Sequence, residues 1–165
     1  MREISNAGFD LSPPDPLQVP ELVAGLSEEE RQLLLDRGEE APFCGVFLFE
    51  KGEGVYCCRL CGLPLFVAGA KFDSGSGWPS FTAPFAPGHL RDIEDRRYGM
   101  IRTEVVCGRC GAHQGHVFPD GPPPTHQRYC INSGSLQFVP TGDQLPDRLG
   151  RGAPEGRPWP MNGKT

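Results

Sequence analysis

The segment VYCCRLCGLPLFV, residues 55–67, decides the fold. Two short apolar runs, Val55–Cys58 and Leu63–Val67, flank a CxxC pair followed by glycine. Working outward, runs of the same kind recur at Val46–Phe49, Met100–Val106, Arg128–Ile131 and Leu136–Val139, all broken by glycine and proline between Pro42 and Val139. Short apolar or alternating runs with turn residues between them predict a mainly β domain of antiparallel strands. Upstream, LSEEERQLLLDRG at Leu26–Gly38 reads as a helix. Ser27 and Glu30 form a capping box, acids sit at the positive end of the helix dipole, and Gly38 is a natural terminator.

Residues 1–25 are rich in proline and polar residues, show no helical or strand period, and are expected to form an arm that lies over the domain or moves freely. The expected organisation is therefore an arm at 1–25, one domain at 26–139 and a tail at 140–165. That tail is dense in glycine and proline and reads as extended or disordered, although Trp159 and Met161 could dock. A chain of 165 residues suits one globular unit with appendages.

Seven cysteines are present. Cys58-Arg-Leu-Cys61-Gly and Cys107-Gly-Arg-Cys110-Gly are two knuckles whose glycines let the backbone fold back, so that both sulfurs of a pair face one centre. Four thiolates close the tetrahedral shell of Zn²⁺ and make a structural site. That site would staple distant segments, and its binding free energy would be folding free energy. Two alternatives use the same residues. The pairs could be redox dithiols, but those usually occur singly on a βαβ pattern that is missing here. Cys107, Cys110, His113 and His116 could form a local site, but that leaves Cys58 and Cys61 without a role. Cys57 points to the opposite face from Cys58 and reads as a packed thiol.

Cys130 stands apart from these pairs. In an extended RYCINS segment, Arg128, Cys130 and Asn132 share one face, while Tyr129 and Ile131 face a core. A guanidinium beside the thiol favours the thiolate, as a nucleophile requires, yet the triplet fits a small buried hydrophobe equally well. His113 and His116, just past the second knuckle, are held in restricted positions and could give protons to a developing negative oxygen. Asp120 could hold an arginine or histidine, or simply turn the chain in PDGP. Trp78, between glycine and proline in FDSGSGWPSF, could present its indole to a methyl or sulfonium-like group or pack in the core.

Net charge is −5 and the basic residues are scattered, which argues against a nucleic-acid partner. No apolar run reaches the roughly 18 residues of a membrane span, and the N-terminus lacks the apolar core of a signal peptide. The expectation is a cytoplasmic, monomeric protein whose cysteines serve as metal ligands and reactive thiols.

Taken together, CxxCG, KFDSGSGWPSF, CxxCGAHQGHVFPDGPPP and RYCINSGSLQF resemble the signature of the type B methionine-R-sulfoxide reductases, in that family's order and spacing, from Leu26 to Val139. The resemblance implies a β-tent of two antiparallel sheets with a few short helices. It implies one structural zinc on Cys58, Cys61, Cys107 and Cys110, and Cys130 as the catalytic thiol. Trp78 would meet the substrate methyl, His113, His116, Asp120, Arg128 and Asn132 would line the polar side, and Phe118 would add an apolar wall. The oxidised Cys130 would need a second thiol and then thioredoxin. Here the sequence departs from a common family pattern, because Ser76 stands where SGCGW would supply the resolving cysteine. Of the two remaining thiols, Cys44 lies on an expected loop and is favoured over Cys57. If it starts far from Cys130 the loop must move, since a disulfide needs Cα atoms within about 7 Å. His126 replaces a glycine frequent in relatives and reads as a surface residue. A binding module built only on the knuckles, and a cysteine hydrolase, are the competing readings.

Overall fold

In the computed structural model, residues 3–152 are described. Trp159 and Met161 lie outside them. Two short helices, α1 (Val19–Ala24) and α2 (Glu28–Leu34), precede nine strands: β1 (Gly54–Cys58), β2 (Pro64–Val67), β3 (Lys71–Phe72), β4 (Ser80–Phe81), β5 (Leu90–Asp95), β6 (Arg102–Cys107), β7 (His113–Phe118), β8 (Arg128–Ile131) and β9 (Leu136–Pro140). They form a three-stranded sheet in the order β2-β1-β9 and a six-stranded sheet in the order β3-β4-β8-β7-β6-β5. Every pairing is antiparallel. The mainly β architecture is the one the short apolar runs predict.

The sheets meet through aromatic rings. Tyr56 and Phe66 of the small sheet are fully buried against Phe81 of the large one. Phe66 stacks on Phe81 at 4.2 Å between centroids, and Tyr56 meets Phe81 edge-on at 5.1 Å. Ile131 and Tyr129 take the inward side of β8, Ile131 fully buried and Tyr129 against Phe66 at 5.8 Å.

The capping box at Ser27 is present: its Oγ accepts from Glu30 N–H at 3.1 Å, and its own N–H donates to Glu30 Oε1 at 2.8 Å. The helix ends before Gly38, however. Arg37 takes the left-handed conformation (φ 57°), and Gly38 N–H closes the turn on Gln32 O at 2.9 Å. This exit carries the Arg37 guanidinium to Glu104, 2.6 Å away. Val46–Phe49 is not a strand. Its backbone closes turns, Leu48 N–H on Gly45 O at 3.2 Å and Glu50 N–H on Phe47 O at 3.2 Å. Phe47 turns inward, onto Tyr56 and Phe138, at 5.8 and 6.4 Å.

Residues 3–25 and 140–152 both lie against the strands. Ala7, Phe9 and Leu11 are buried, and Phe9 packs edge-on against Phe85 at 5.8 Å. Leu149 is buried in the same core. Arg151 ties the two segments together, donating to Ser12 O at 2.6 Å and Pro13 O at 2.9 Å.

Candidate functional site

The two knuckles fold as the glycines require. Gly62 (φ 88°) and Gly111 (φ 79°) adopt left-handed backbone, and their N–H groups return to Cys58 O at 2.8 Å and Cys107 O at 2.9 Å. Packing of the small sheet on the large one then brings the β1–β2 and β6–β7 turns that carry the knuckles together. The sulfurs of Cys58, Cys61, Cys107 and Cys110 all lie within 4.8 Å of one another. Cys58 Sγ is 3.7 Å from Cys110 Sγ, and Cys61 Sγ is 3.6 Å from Cys107 Sγ. A tetrahedron with metal–sulfur bonds of about 2.3 Å has edges of about 3.8 Å, so the donor set fits a tetrahedral soft cation. Burial pushes the Cys107 thiol well up, whereas at Cys61 burial is outweighed by hydrogen bonds from the other three sulfurs, which pull it well down, so holding all four as thiolates would fall to a cation. Gln114 adds an outer contact, Nε2 to Cys58 Sγ at 3.5 Å. The alternative Cys₂His₂ site is not formed, because His113 and His116 are engaged with carboxylates.

Cys130 opens into a separate pocket of about 140 Å³, walled by Trp78, His116, Phe118 and Asn132, with Glu39 and Arg102 at one side. Strand register builds it: Cys130 lies opposite Ser80 of β4 and His116 of β7. The Trp78 indole is half-buried and oriented by its Nε1–H, which donates to Glu40 O at 3.0 Å. Asn132 is buried and fastens the loop after α2, accepting from Glu40 N–H at 3.1 Å and donating to Gly38 O at 2.9 Å. Burial pushes the Cys130 thiol up. The Ser76 hydroxyl at 4.0 Å and the Arg128 guanidinium pull it back without reversing the shift. Arg128 acts in the direction expected of it, and burial outweighs it.

Behind the pocket lies an ionic cluster. His116 Nε2 is 2.8 Å from Asp95 Oδ2, so its Nδ1 faces the other way, 3.7 Å from a Glu39 carboxylate oxygen. Asp95 is fully buried and also receives Arg97 at 3.0 Å and Arg102 at 3.4 Å. His113 sits one layer deeper, Nδ1 to Glu104 Oε2 at 2.6 Å, with its ring 5.6 Å from that of His116 and its buried Nε2 without a hydrogen-bond partner. Burial pushes the His113 imidazole below its ordinary value although Glu104 opposes the shift. His113 therefore does not line the pocket. Asp120 and Arg128 do not line the pocket but adjoin it through Phe118: Arg128 Nε donates to Asp120 Oδ1 at 2.9 Å, and the guanidinium lies over the Phe118 ring at 4.5 Å.

Glu39, Arg102, Asp95, Glu104, Arg37 and Arg97 escape the motif reading. The sequence did carry one signal for them: a glutamate inside the apolar run IRTEVVC, where a buried carboxylate demands a cation. Cys44 is exposed, on the loop that follows Glu40. Cys57 is fully buried, and burial pushes its thiol far up. His126 is exposed in left-handed backbone (φ 57°), a conformation glycine adopts freely.

The SelR domain family model matches residues 26–140. A protein of Caulobacter vibrioides (strain NA1000 / CB15N) named peptide methionine sulfoxide reductase MsrB is 60% identical over 149 residues, 90% of this chain and 94% of that protein. One of the same name from Xylella fastidiosa (strain M23) is 58% identical over 147 residues, 89% of this chain and 95% of that protein. A family model spanning most of the chain and relatives matched nearly end to end agree with the pocket and the thiol cluster, and the chain belongs to the SelR-domain family of type B methionine sulfoxide reductases.

Proposed function

We propose that this protein is a peptide-methionine (R)-S-oxide reductase with Cys130 as its nucleophile. The observation that carries the reading is the Cys130 thiol opening between an indole, a phenyl ring and an imidazole: apolar walls for a thioether methyl and a proton donor for a sulfoxide oxygen. Trp78 and Phe118 receive the methyl. Arg128, paired with Asp120, holds Phe118 and favours the thiolate. Asp95 fixes His116 so that Nδ1 is the atom available to substrate, and His113 supports that ring from behind. As the Cys130 sulfur attacks the sulfoxide sulfur, His116 supplies the proton to the oxygen. Methionine leaves reduced by two electrons, and Cys130 is left as a sulfenic acid.

Cys44 is the resolving thiol. Its sulfur displaces water from the sulfenic acid to form a Cys44–Cys130 disulfide, which thioredoxin reduces by thiol exchange. Exposure supports Cys44, and complete burial argues against Cys57. The loop must release Phe43 N–H from Gly77 O, 2.7 Å away, to travel. The metal at Cys58, Cys61, Cys107 and Cys110 is zinc, one per chain, and when bound it is a closed structural centre. Residues 1–25 are an arm, 26–139 the catalytic domain and 140–165 a tail on a cytoplasmic monomer. Among the described residues no helix is long and apolar enough to cross a membrane. The knuckles alone, as a binding module, would leave the Cys130 pocket without a purpose.

Incubation with a racemic N-acetylmethionine sulfoxide, thioredoxin and its reductase should consume the R epimer only, and Cys130→Ser should abolish this. Cys44→Ser should yield one equivalent of methionine and then stop. Turnover by Cys130→Ser overturns the assignment. The single-equivalent phenotype in Cys57→Ser instead of Cys44→Ser overturns the choice of resolving thiol.

A further inference from the structure

Phe49 and Phe43 stand 75% and 64% exposed on the loop that carries Cys44. Both line a groove of about 280 Å³ that the chemistry at Cys130 does not use. Phe72, Asp73–Gly75 and Gly77–Pro79 bound its other side. Trp78 lines this groove and the Cys130 pocket alike, so the two spaces adjoin at that residue.

The groove is built in advance of any ligand. Lys71 Nζ donates to Leu48 O at 2.9 Å and Glu50 O at 3.1 Å, and Phe43 N–H donates to Gly77 O, so its walls are fastened to each other. Its rim carries Glu50, Glu53 and Asp73 against Lys51 and the Lys71 ammonium, which is already engaged with carbonyls. An acidic side chain would meet net negative potential there. An aromatic or aliphatic one would cover rings now in water.

The geometry points to a second subsite for a polypeptide substrate: with the methionine sulfoxide side chain in the Cys130 pocket, an apolar side chain one or two residues away fills the adjoining groove. In an extended peptide, side chains two residues apart project about 7 Å apart on one face, which suits two spaces that adjoin at one residue. The inference rests on the reductase reading above and deepens it, from sulfoxide recognition to recognition of neighbouring sequence. A reductant docking on the Cys44 loop is the competing occupant. It would also cover Val46, which is 81% exposed on that loop but does not line the groove.

The test uses acetylated serine pentapeptides with a central methionine-(R)-sulfoxide, carrying a single Phe or Glu at each flanking position, with dithiothreitol as reductant. N-acetylmethionine-(R)-sulfoxide serves as the reference without neighbours. Phe at one position should raise kcat/KM about tenfold over Ser, as partial burial of a ring allows, and Glu there should lower it. Phe49→Ser should remove the gain and leave the reference rate unchanged, while Val46→Ser should keep the gain. The proposal is overturned if the Phe peptides are no better than the Ser peptide, or if the gain survives Phe49→Ser. It is equally overturned if Phe49→Ser and Val46→Ser act alike and only with thioredoxin, which would assign the face to the reductant. A protein that does not reduce the reference at all overturns the reductase reading itself, a distinct result.

Discussion

Ser76 Oγ lies 4.0 Å from Cys130 Sγ. A sulfur at this position would need only a small adjustment to bond Cys130. Ser76→Cys in a Cys44→Ser background is therefore expected to restore thioredoxin-dependent turnover, read as multiple equivalents of methionine per chain. One equivalent only, with Cys130 left as sulfenic acid, would show that proximity at Ser76 is insufficient. Residue identity also marks positions without saying what they do. His126 was visible as a substitution for glycine, but its left-handed backbone is a property of the folded turn. Cys130 was legible as the thiol with arginine and asparagine on its face. Its raised pKa was not legible, because burial is set by what packs around it from β4 and β7.

At the scale of elements, strands with apolar runs were readable and strands that carry charge were not. β1, β2, β8 and β9 fall where their runs predict. β5 (Leu90–Asp95) was missed because it is an edge strand with Arg91–Glu94 exposed, so it needs no apolar face. β7 was missed for the opposite reason: it is central and buried, and it fills that position with His113, Gln114 and His116. The two histidines survive burial because β5 and β6 bring Asp95 and Glu104 to them, while Gln114 donates to Cys58 Sγ and Ala112 O.

Magnitudes separate the ion pairs of this hairpin. Arg96–Glu94 is exposed on both sides and contributes about 0–1 kcal/mol, so Arg96→Ala should leave the urea midpoint nearly unchanged. Asp95→Asn removes a buried charge from Arg97, Arg102 and His116, and should cost about 3–5 kcal/mol in urea denaturation. The Arg97 hydrogen bonds hold the Asp95 carboxyl far below the usual carboxylate range. Its stabilisation is therefore complete above about pH 4, where an unfolded Asp is ionised, and declines as pH falls below that. Asp95→Asn should flatten the acid limb of the stability profile, and an unchanged limb would remove Asp95 from that role.

For the whole molecule, the thiol cluster is the joint on which the sheets close. It links the β1–β2 turn with the β6–β7 turn, one from each sheet. Structural zinc sites in small domains bind with about 10–16 kcal/mol, comparable to the total stability of a domain. Metal analysis should find about one equivalent of zinc per chain. Chelation, or Cys107→Ser, should abolish the cooperative thermal transition, whereas a metal-free protein that melts unchanged would contradict the site.

The sequence by itself determined the β class, the capped helix and the four cysteines that cluster, since each depends on periodicity or spacing within a few residues, while it singled out Cys130 only through the order of motifs around it. Only the tertiary structure decided that His116 faces the pocket while His113 lies behind it, that Asp95, Glu104 and three arginines hold them, and that a groove shares Trp78 with the Cys130 pocket. Those facts depend on strand register and on which charges are buried together, and both are set by contacts between residues distant in the chain.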